Sequence, residues 1–352
     1  MMSQVREQWG TRAGFIFAAV GSAIGLGNIW RFPDTAYKAG GGSFLVPYLI
    51  ALFTAAIPLL IMEYSIGHRT RASPPLAFRR VSRAMEPVGW WQVAISFVIA
   101  CYYAVILAWA VRYVFFSLDQ SWEGAADTGT FFAGVLKAAA PGESPSLVSG
   151  IAIPAVLIWI VTLVILGLGV QKGIEISNRI FIPLLVVVFG ALVVWSLTLP
   201  GAADGLNTFF TPDWSRLFDA EVWLLVYGQL FFSLSVGFGI MITYSSYLRR
   251  KADLTGSALV AGFANSSFEI LAGIGVFSAL GFMAQAQGTS VGKVVEGGVG
   301  LAFFSFPAII SELPFGGVGQ AVFGVLFFGS LVIAGFSSLI SIVQVVVSTV
   351  QD

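Results

Sequence analysis

A chain of 352 residues that is 57% hydrophobic and 10% charged carries more apolar surface than a soluble domain of that length can bury. The 18 basic and 18 acidic residues cancel, and the longest run of like charge is Arg249, Arg250 and Lys251, so nothing points to a nucleic-acid footprint. With a single histidine (His68) and a single cysteine (Cys101), the chain has no intrachain disulfide framework. It also lacks a zinc-like or nucleophile–base constellation, which speaks against an enzyme.

In chain order, the N-terminus from Met1 to Arg12 is polar. The apolar run that follows is longer than a signal-peptide core, so no cleaved leader is expected. Apolar runs between charged or Gly/Pro-rich breaks predict eight membrane spans, helices 1 to 8, at 13–36, 43–67, 90–117, 148–170, 179–199, 222–248, 256–285 and 319–350. The predicted fold is therefore an all-α, polytopic membrane protein in contact with lipid. The connections are read as loops at 68–89, 118–147, 171–178, 200–221, 249–255 and 286–318. Alternate loops hold Arg6, Arg12, Arg69, Arg71, Arg79, Arg80, Arg83, Lys172, Arg179, Arg249, Arg250 and Lys251, twelve of the 18 basic residues. This bias places the N-terminus and Asp352 in the cytoplasm. Trp9, Trp30, Trp90, Trp91, Trp109, Trp122, Trp195, Trp214 and Trp223 fall near span ends, where interfacial anchors are expected.

Helices 1 and 6 are interrupted near their middles, at Gly21-Ser22-Ala23-Ile24-Gly25-Leu26-Gly27-Asn28 and at Ser233-Leu234-Ser235-Val236-Gly237-Phe238-Gly239. Glycine-broken spans at matching positions of two halves point to a binding site at the membrane midplane. Unwinding frees backbone carbonyls for a cation and N–H groups for a carboxylate. Small residues of this kind also suit plain helix packing, and the spacing alone leaves both readings open. Within the spans, Glu63 and Glu269 are ionisable groups whose desolvation needs a reason; Glu63 is expected to bond to the unwound segments.

The strings RAGFIFAAVGSAIGLGNIWRFP (12–33), GGGSFLVPY (40–48), IPLLIMEYSIG (57–67) and CYYAVILAW (101–109) resemble the neurotransmitter:sodium symporter family. So do GQLFFSLSVGFGIMITYSSYLR (228–249), NSSFEILAG (265–273), SFPAI (305–309) and AGFSSLISIVQ (334–344). The resemblance covers essentially the whole chain. It implies the leucine-transporter-like inverted repeat of helices 1–5 and 6–10, with the first repeat at 13–199 and part of the second at 222–352. It further implies a sodium-coupled amino-acid symporter of the inner membrane, with a homodimer left open.

Carried over position by position, the resemblance implies two sodium sites. The first comprises the Ala23 carbonyl with Asn28, Ser233 and Asn265. The second comprises the carbonyls of Gly21, Ile24 and Ala334 with the hydroxyls of Ser337 and Ser338. These are hard oxygen ligands, suited to an alkali cation, and their chemistry by itself does not separate sodium from another small cation. Glu269 matches the position where chloride-independent members carry an acid, so no chloride requirement is expected.

The implied substrate site lies between helices 1, 3, 6 and 8. Leu26, Gly27 and Tyr103 would meet the carboxylate, and Gly25 would leave room for it. The side chain would lie among Ile99, Tyr103, Phe232, Phe238 and Ile342, with Ser235 and Ser338 at the edge. A charged substrate side chain would find no partner there, so neutral, mainly apolar amino acids are expected. Tyr103 and Phe232 match the outer lid and Arg31 the outer-gate cation. Arg6 and Asp352 match an inner ion pair near Trp9, Ser246, Tyr247 and Gln344. Alternating access is then a rocking of helices 1, 2, 6 and 7.

Helices 9 and 10, with the acid that would face Arg31, have no counterpart before Asp352. The expectation is a leading part of a longer transporter. The alternative is a remnant that binds amino acid and sodium without transporting them.

Overall fold

The computed structural model describes residues 7–125, 127–137, 147–294, 297–314 and 316–352, and it is built of helices. Six of them are long and apolar enough to cross a membrane: Gly42–Thr70, Arg83–Asp119, Ser149–Gly167, Val170–Ser196, Leu254–Ala286 and Gly316–Gln351. These are helices 2, 3, 4, 5, 7 and 8. The two remaining expected spans, 1 and 6, are the broken ones. Helix 1 runs Arg12–Ala23, opens at Ile24 and Gly25, and resumes as Leu26–Ile29 and Arg31–Lys38. Helix 6 runs Ala220–Ser233 and resumes as Ile240–Ser246.

Local chemistry explains the starts and stops. The Thr11 hydroxyl accepts the Gly14 N–H and the Asp253 carboxylate accepts the Gly256 N–H, so helices 1 and 7 each begin on a capping side chain. Helix 6 stops because Ser235, Gly237 and Gly239 lie in the left-handed region, with φ of +55, +84 and +76. For Ser235 that conformation costs about 1–2 kcal/mol, a strain that clusters at functional sites.

Helices 7 and 8 form the interior, with 78% and 72% of their apolar windows buried, whereas helix 4 is 17% buried and turns to lipid. The first half of helix 1 packs against helices 5, 7 and 8, and helix 8 lies along helix 3. Short helices lie in the connections at Pro74–Val81, Thr128–Leu136, Ala202–Phe210 and Phe306–Glu312.

Three expectations change. The stretch 171–178, read as a loop for its polar residues, is the first turns of helix 5, which starts at Val170 after Gly169 turns the chain at φ +81. Two of its polar side chains contact the N-terminal segment: Glu175 takes the Gly10 N–H and Gln171 donates to the Gln8 carbonyl. The tryptophans are not uniformly interfacial. Trp90, Trp91 and Trp214 are exposed, but Trp9, Trp30 and Trp122 are buried. Trp9 and Trp122 have protein acceptors for their indole N–H groups, the Tyr244 carbonyl and the Ser311 hydroxyl. Lastly, the 68–89, 118–147, 200–221 and 286–318 connections contain the short helices named above.

Candidate cation and substrate site

The two breaks face each other across one pocket. Its lining is Ser22, Ala23, Gly25, Leu26, Gly27 and Asn28 from helix 1, with Ile99 and Tyr103 from helix 3. Helix 6 adds Phe232, Ser233, Ser235 and Phe238, and helix 8 adds Ser338 and Ile342. All ten residues expected at the substrate are therefore in one wall. No lysine, arginine, aspartate or glutamate is among them.

Helix 1 is held open by its own sequence. Asn28, at the third position of the resumed helix, reaches back so that its Oδ1 accepts the Gly25 N–H at 2.9 Å. This is the capping arrangement that lets a helix restart in an apolar interior. The Asn28 Nδ2 donates to Asn265 Oδ1 at 2.8 Å and to Ser233 Oγ at 3.3 Å, and Asn265 Nδ2 donates to the same Ser233 oxygen at 2.7 Å. Three helices thus bring the side chains of Asn28, Ser233 and Asn265 into one hydrogen-bonded cluster, and Ala23, Asn28 and Ser233 line the same pocket. Which end of each amide is oxygen is an assignment made from this network.

The second oxygen cluster is assembled from helices 1 and 8. The Ser338 Oγ stands 3.5, 3.4 and 3.5 Å from the carbonyl oxygens of Gly21, Ser22 and Ile24. Oxygens about 2.4 Å from a shared hard cation and at right angles to one another stand about 3.4 Å apart, so the spacing suits such an ion. Ser337 differs from its neighbour: its hydroxyl donates to the Ala334 carbonyl at 2.8 Å within helix 8. Ser22 was missed by sequence reasoning. Its hydroxyl is buried and without a partner among the described residues, and its carbonyl faces Ser338. The only sequence signal was its place inside the GSAIGLG string.

Substrate-sized chemistry sits above these oxygens. The Leu26 N–H, at the start of a half-helix, donates to the Tyr103 hydroxyl at 3.3 Å. A Cβ on Gly25 would lie 2.7 Å from Ser338 Oγ and 3.2 Å from Tyr103 Oη, and one on Gly27 would lie 2.6 Å from the Phe232 ring. A side chain at either position would force its neighbour to move. Phe232 and Phe238 meet edge to face, 6.1 Å between centroids. The Arg31 guanidinium lies 4.4 Å from the Phe232 ring centroid and donates to the Gly228 carbonyl, so the residue expected as the outer-gate cation covers the aromatic expected as a lid.

The two acids noted within the spans, Glu63 and Glu269, are both engaged. Glu63 Oε1 accepts the Gly237 N–H at 2.8 Å, bonding to the unwound part of helix 6 as expected. Glu269 accepts from the Tyr48 hydroxyl and, at 2.6 Å, from the Gln229 amide. At the inner end Arg6 lies outside the described residues. Asp352 accepts the Ser73 N–H, and Gln344 donates to the Tyr247 hydroxyl at 2.9 Å.

A polytopic helical protein whose two half-broken spans turn free carbonyls and hydroxyls toward an uncharged pocket is built as a leucine-transporter-like carrier. Comparison with known proteins carries this further. The sequence profile of the Sodium:neurotransmitter symporter family matches residues 6–133 and 125–352, and the chain belongs to that family, whose members are sodium-dependent transporters and not enzymes. It is 44% identical over 348 residues to the uncharacterized sodium-dependent transporter MJ1319 of Methanocaldococcus jannaschii, covering 99% of this chain and 70% of that one. It is 31% identical to the sodium- and chloride-dependent GABA transporter 2 of Bos taurus, covering 99% of this chain and 62% of that one. The crystal structure of MhsT in complex with L-phenylalanine superposes with a TM-score of 0.81 at 38% identity, covering 97% of this chain and 73% of MhsT.

Proposed function

We propose that the chain carries the coupled cation and substrate site of a symporter for neutral, mainly apolar α-amino acids, working by alternating access. The observation that carries this reading is the pocket itself. It offers oxygen ligands on one side, half-helix N–H groups and a tyrosine hydroxyl for a carboxylate, and an apolar wall of Ile99, Phe232, Phe238 and Ile342 with no ionisable side chain. A substrate carrying a charged side chain would be desolvated there without a partner. The similarity to MhsT, solved with L-phenylalanine, supports an amino acid that an aromatic wall accepts.

Sodium is assigned to two places. The first takes Ala23, Asn28, Ser233 and Asn265, and the second takes Gly21, Ile24, Ala334, Ser337 and Ser338. A cation beside the substrate carboxylate supplies the coupling, because each lowers the cost of burying the other. Glu269, held by two donors, provides a fixed negative charge in place of an anion, so chloride is not required. The repeats are assigned to 13–199 and 222–352, in the cytoplasmic membrane with the N-terminus inside.

The test is binding of L-leucine and L-phenylalanine to the purified chain with and without sodium, in the parent and in Asn28→Ala. Sodium-dependent binding that Asn28→Ala weakens by tenfold or more is expected, from the loss of about 1.5–3 kcal/mol for a ligand to a charged group. Sodium dependence left intact in the variant would remove Asn28 from the site. Uptake into proteoliposomes then separates a symporter from a protein that binds amino acid and sodium without flux.

A further inference from the structure

Away from the pocket, the cytoplasmic ends of helices 1 and 5 are joined by two carboxylates, each from one segment and each accepting from the other. Glu175, in the first turns of helix 5, accepts the Gly10 N–H at 2.8 Å and the Thr11 hydroxyl at 3.0 Å, immediately ahead of the first residue of helix 1. Glu7, ahead of helix 1, accepts the N–H of Val170 at 2.6 Å, the first residue of helix 5. The opening N–H groups of any helix lack partners within it. Helix 5 takes Glu7 for its first N–H, while Glu175 holds Thr11, the residue that caps helix 1, and the Gly10 N–H beside it.

The surroundings are shaped to this exchange. The Glu175 side chain is 5% exposed and pairs with Arg179 at 2.8 Å, and Arg179 also reaches the Thr11 hydroxyl. A Cβ on Gly14 would lie 2.1 Å from the Glu175 carboxyl carbon, and one on Gly169 would lie 2.8 Å from Glu7 Oε1. A side chain at either glycine would expel the acid. Between the two caps Trp9 is pinned to half-helix 6, its indole N–H on the Tyr244 carbonyl and its backbone N–H on that of Tyr247.

We propose that Glu7 and Glu175 form a reciprocal clasp that positions the cytoplasmic half of helix 1 against helix 5 and keeps the cytoplasmic side of the pocket closed. They are positioning residues and touch neither cation nor substrate. The inference rests on the alternating-access reading. Helix 1 cannot leave helix 5 without uncapping the start of helix 5 and taking the Gly10 N–H and the Thr11 hydroxyl from the buried Glu175 carboxylate, so the clasp opens as a unit. The 12-residue segment Arg12–Ala23 is a rigid rod of about 18 Å, with the clasp at one end and the Gly21 and Ser22 carbonyls near the other. Cation binding at those carbonyls and closure of the clasp must therefore favour each other, by linkage.

The experiment uses the full chain in inside-out vesicles, with Cys101→Ser to remove the native thiol and Ser341→Cys as reporter. Ser341 is buried and faces Tyr244 on the cytoplasmic half of helix 8. Labelling by an impermeant maleimide reads opening directly. Glu175→Ala and Glu7→Ala should each label about tenfold faster than the parent, the equivalent of one charge-assisted bond. Glu175→Gln, which keeps an acceptor, should fall between. The double variant should be no faster than the faster single one, and sodium should slow the parent. Arg12→Gln breaks only an exposed pair with Asp253 and should leave the rate unchanged.

Parental labelling rates in both alanine variants would overturn the clasp. So would multiplication of the two effects in the double variant, or equal acceleration by Arg12→Gln. Glu7 is exposed, so its variant tests the clasp even where Glu175→Ala does not fold. A parent that binds no amino acid would defeat the proposed function and leave this readout intact.

Discussion

At the scale of residues, the pocket depends on what is absent from two positions. Gly25 and Gly27 admit the Ser338 hydroxyl and the Phe232 ring to distances no unshifted Cβ shows, with the Tyr103 hydroxyl close behind. Gly25→Ala is accordingly expected to abolish measurable amino-acid binding while the protein still folds, because the methyl enters the pocket rather than a helix interface. Binding within twofold of the parent would show that the substrate lies elsewhere. Tyr103→Phe is milder. It leaves the Leu26 N–H without its present partner and removes one donor for a carboxylate. A loss of about 1–2 kcal/mol, five- to thirtyfold in affinity, is expected by equilibrium binding, with the sodium dependence retained. The sequence displayed these residues because each sits in a short, unusual string. Ser22 was passed over because a serine in a small-residue run reads as packing.

At the scale of elements, glycines decide where backbones touch. A Cβ on Gly67 of helix 2 would lie 2.0 Å from the Ile242 carbonyl of half-helix 6, and nothing flexible there can yield. Gly67→Ala should lower the thermal midpoint in detergent by several degrees, from overpacking of about 1–3 kcal/mol. Gly134→Ala, with open space around its Cβ on an outer helix, should leave the midpoint unchanged or raise it slightly. Equal midpoints for the two variants would count against backbone contact as the joint between helices 2 and 6. Span existence and the two breaks were legible in the sequence, since apolar length and paired glycines are local signals. The start of helix 5 was not. Its polar residues mimic a loop until the N-terminal segment that satisfies them is seen in place.

At the scale of the whole molecule, Glu269 of helix 7 draws donors from helices 2 and 6, Tyr48 and Gln229, into one buried nest. Replacing the carboxylate by a neutral hydroxyl leaves the donors facing a gap in charge. Glu269→Ser should therefore make amino-acid binding depend on chloride, measured in chloride against gluconate, while the parent is indifferent. A variant equally active in both salts would show that the charge at this nest is not needed.

The sequence by itself determined the membrane class, the order of the apolar helices, the positions of the two interruptions and the residue types around them. Apolar length and glycine placement act within a few residues of chain. Only the tertiary structure decided which oxygens face one another: Ser338 turned to helix 1 and Ser337 turned inward to Ala334, and Glu7 and Glu175 set across two helix starts. Apart from the local Ser337 bond, these pairings join residues from about 160 to over 300 positions apart, and the direction in which a side chain points is set by how the helices pack.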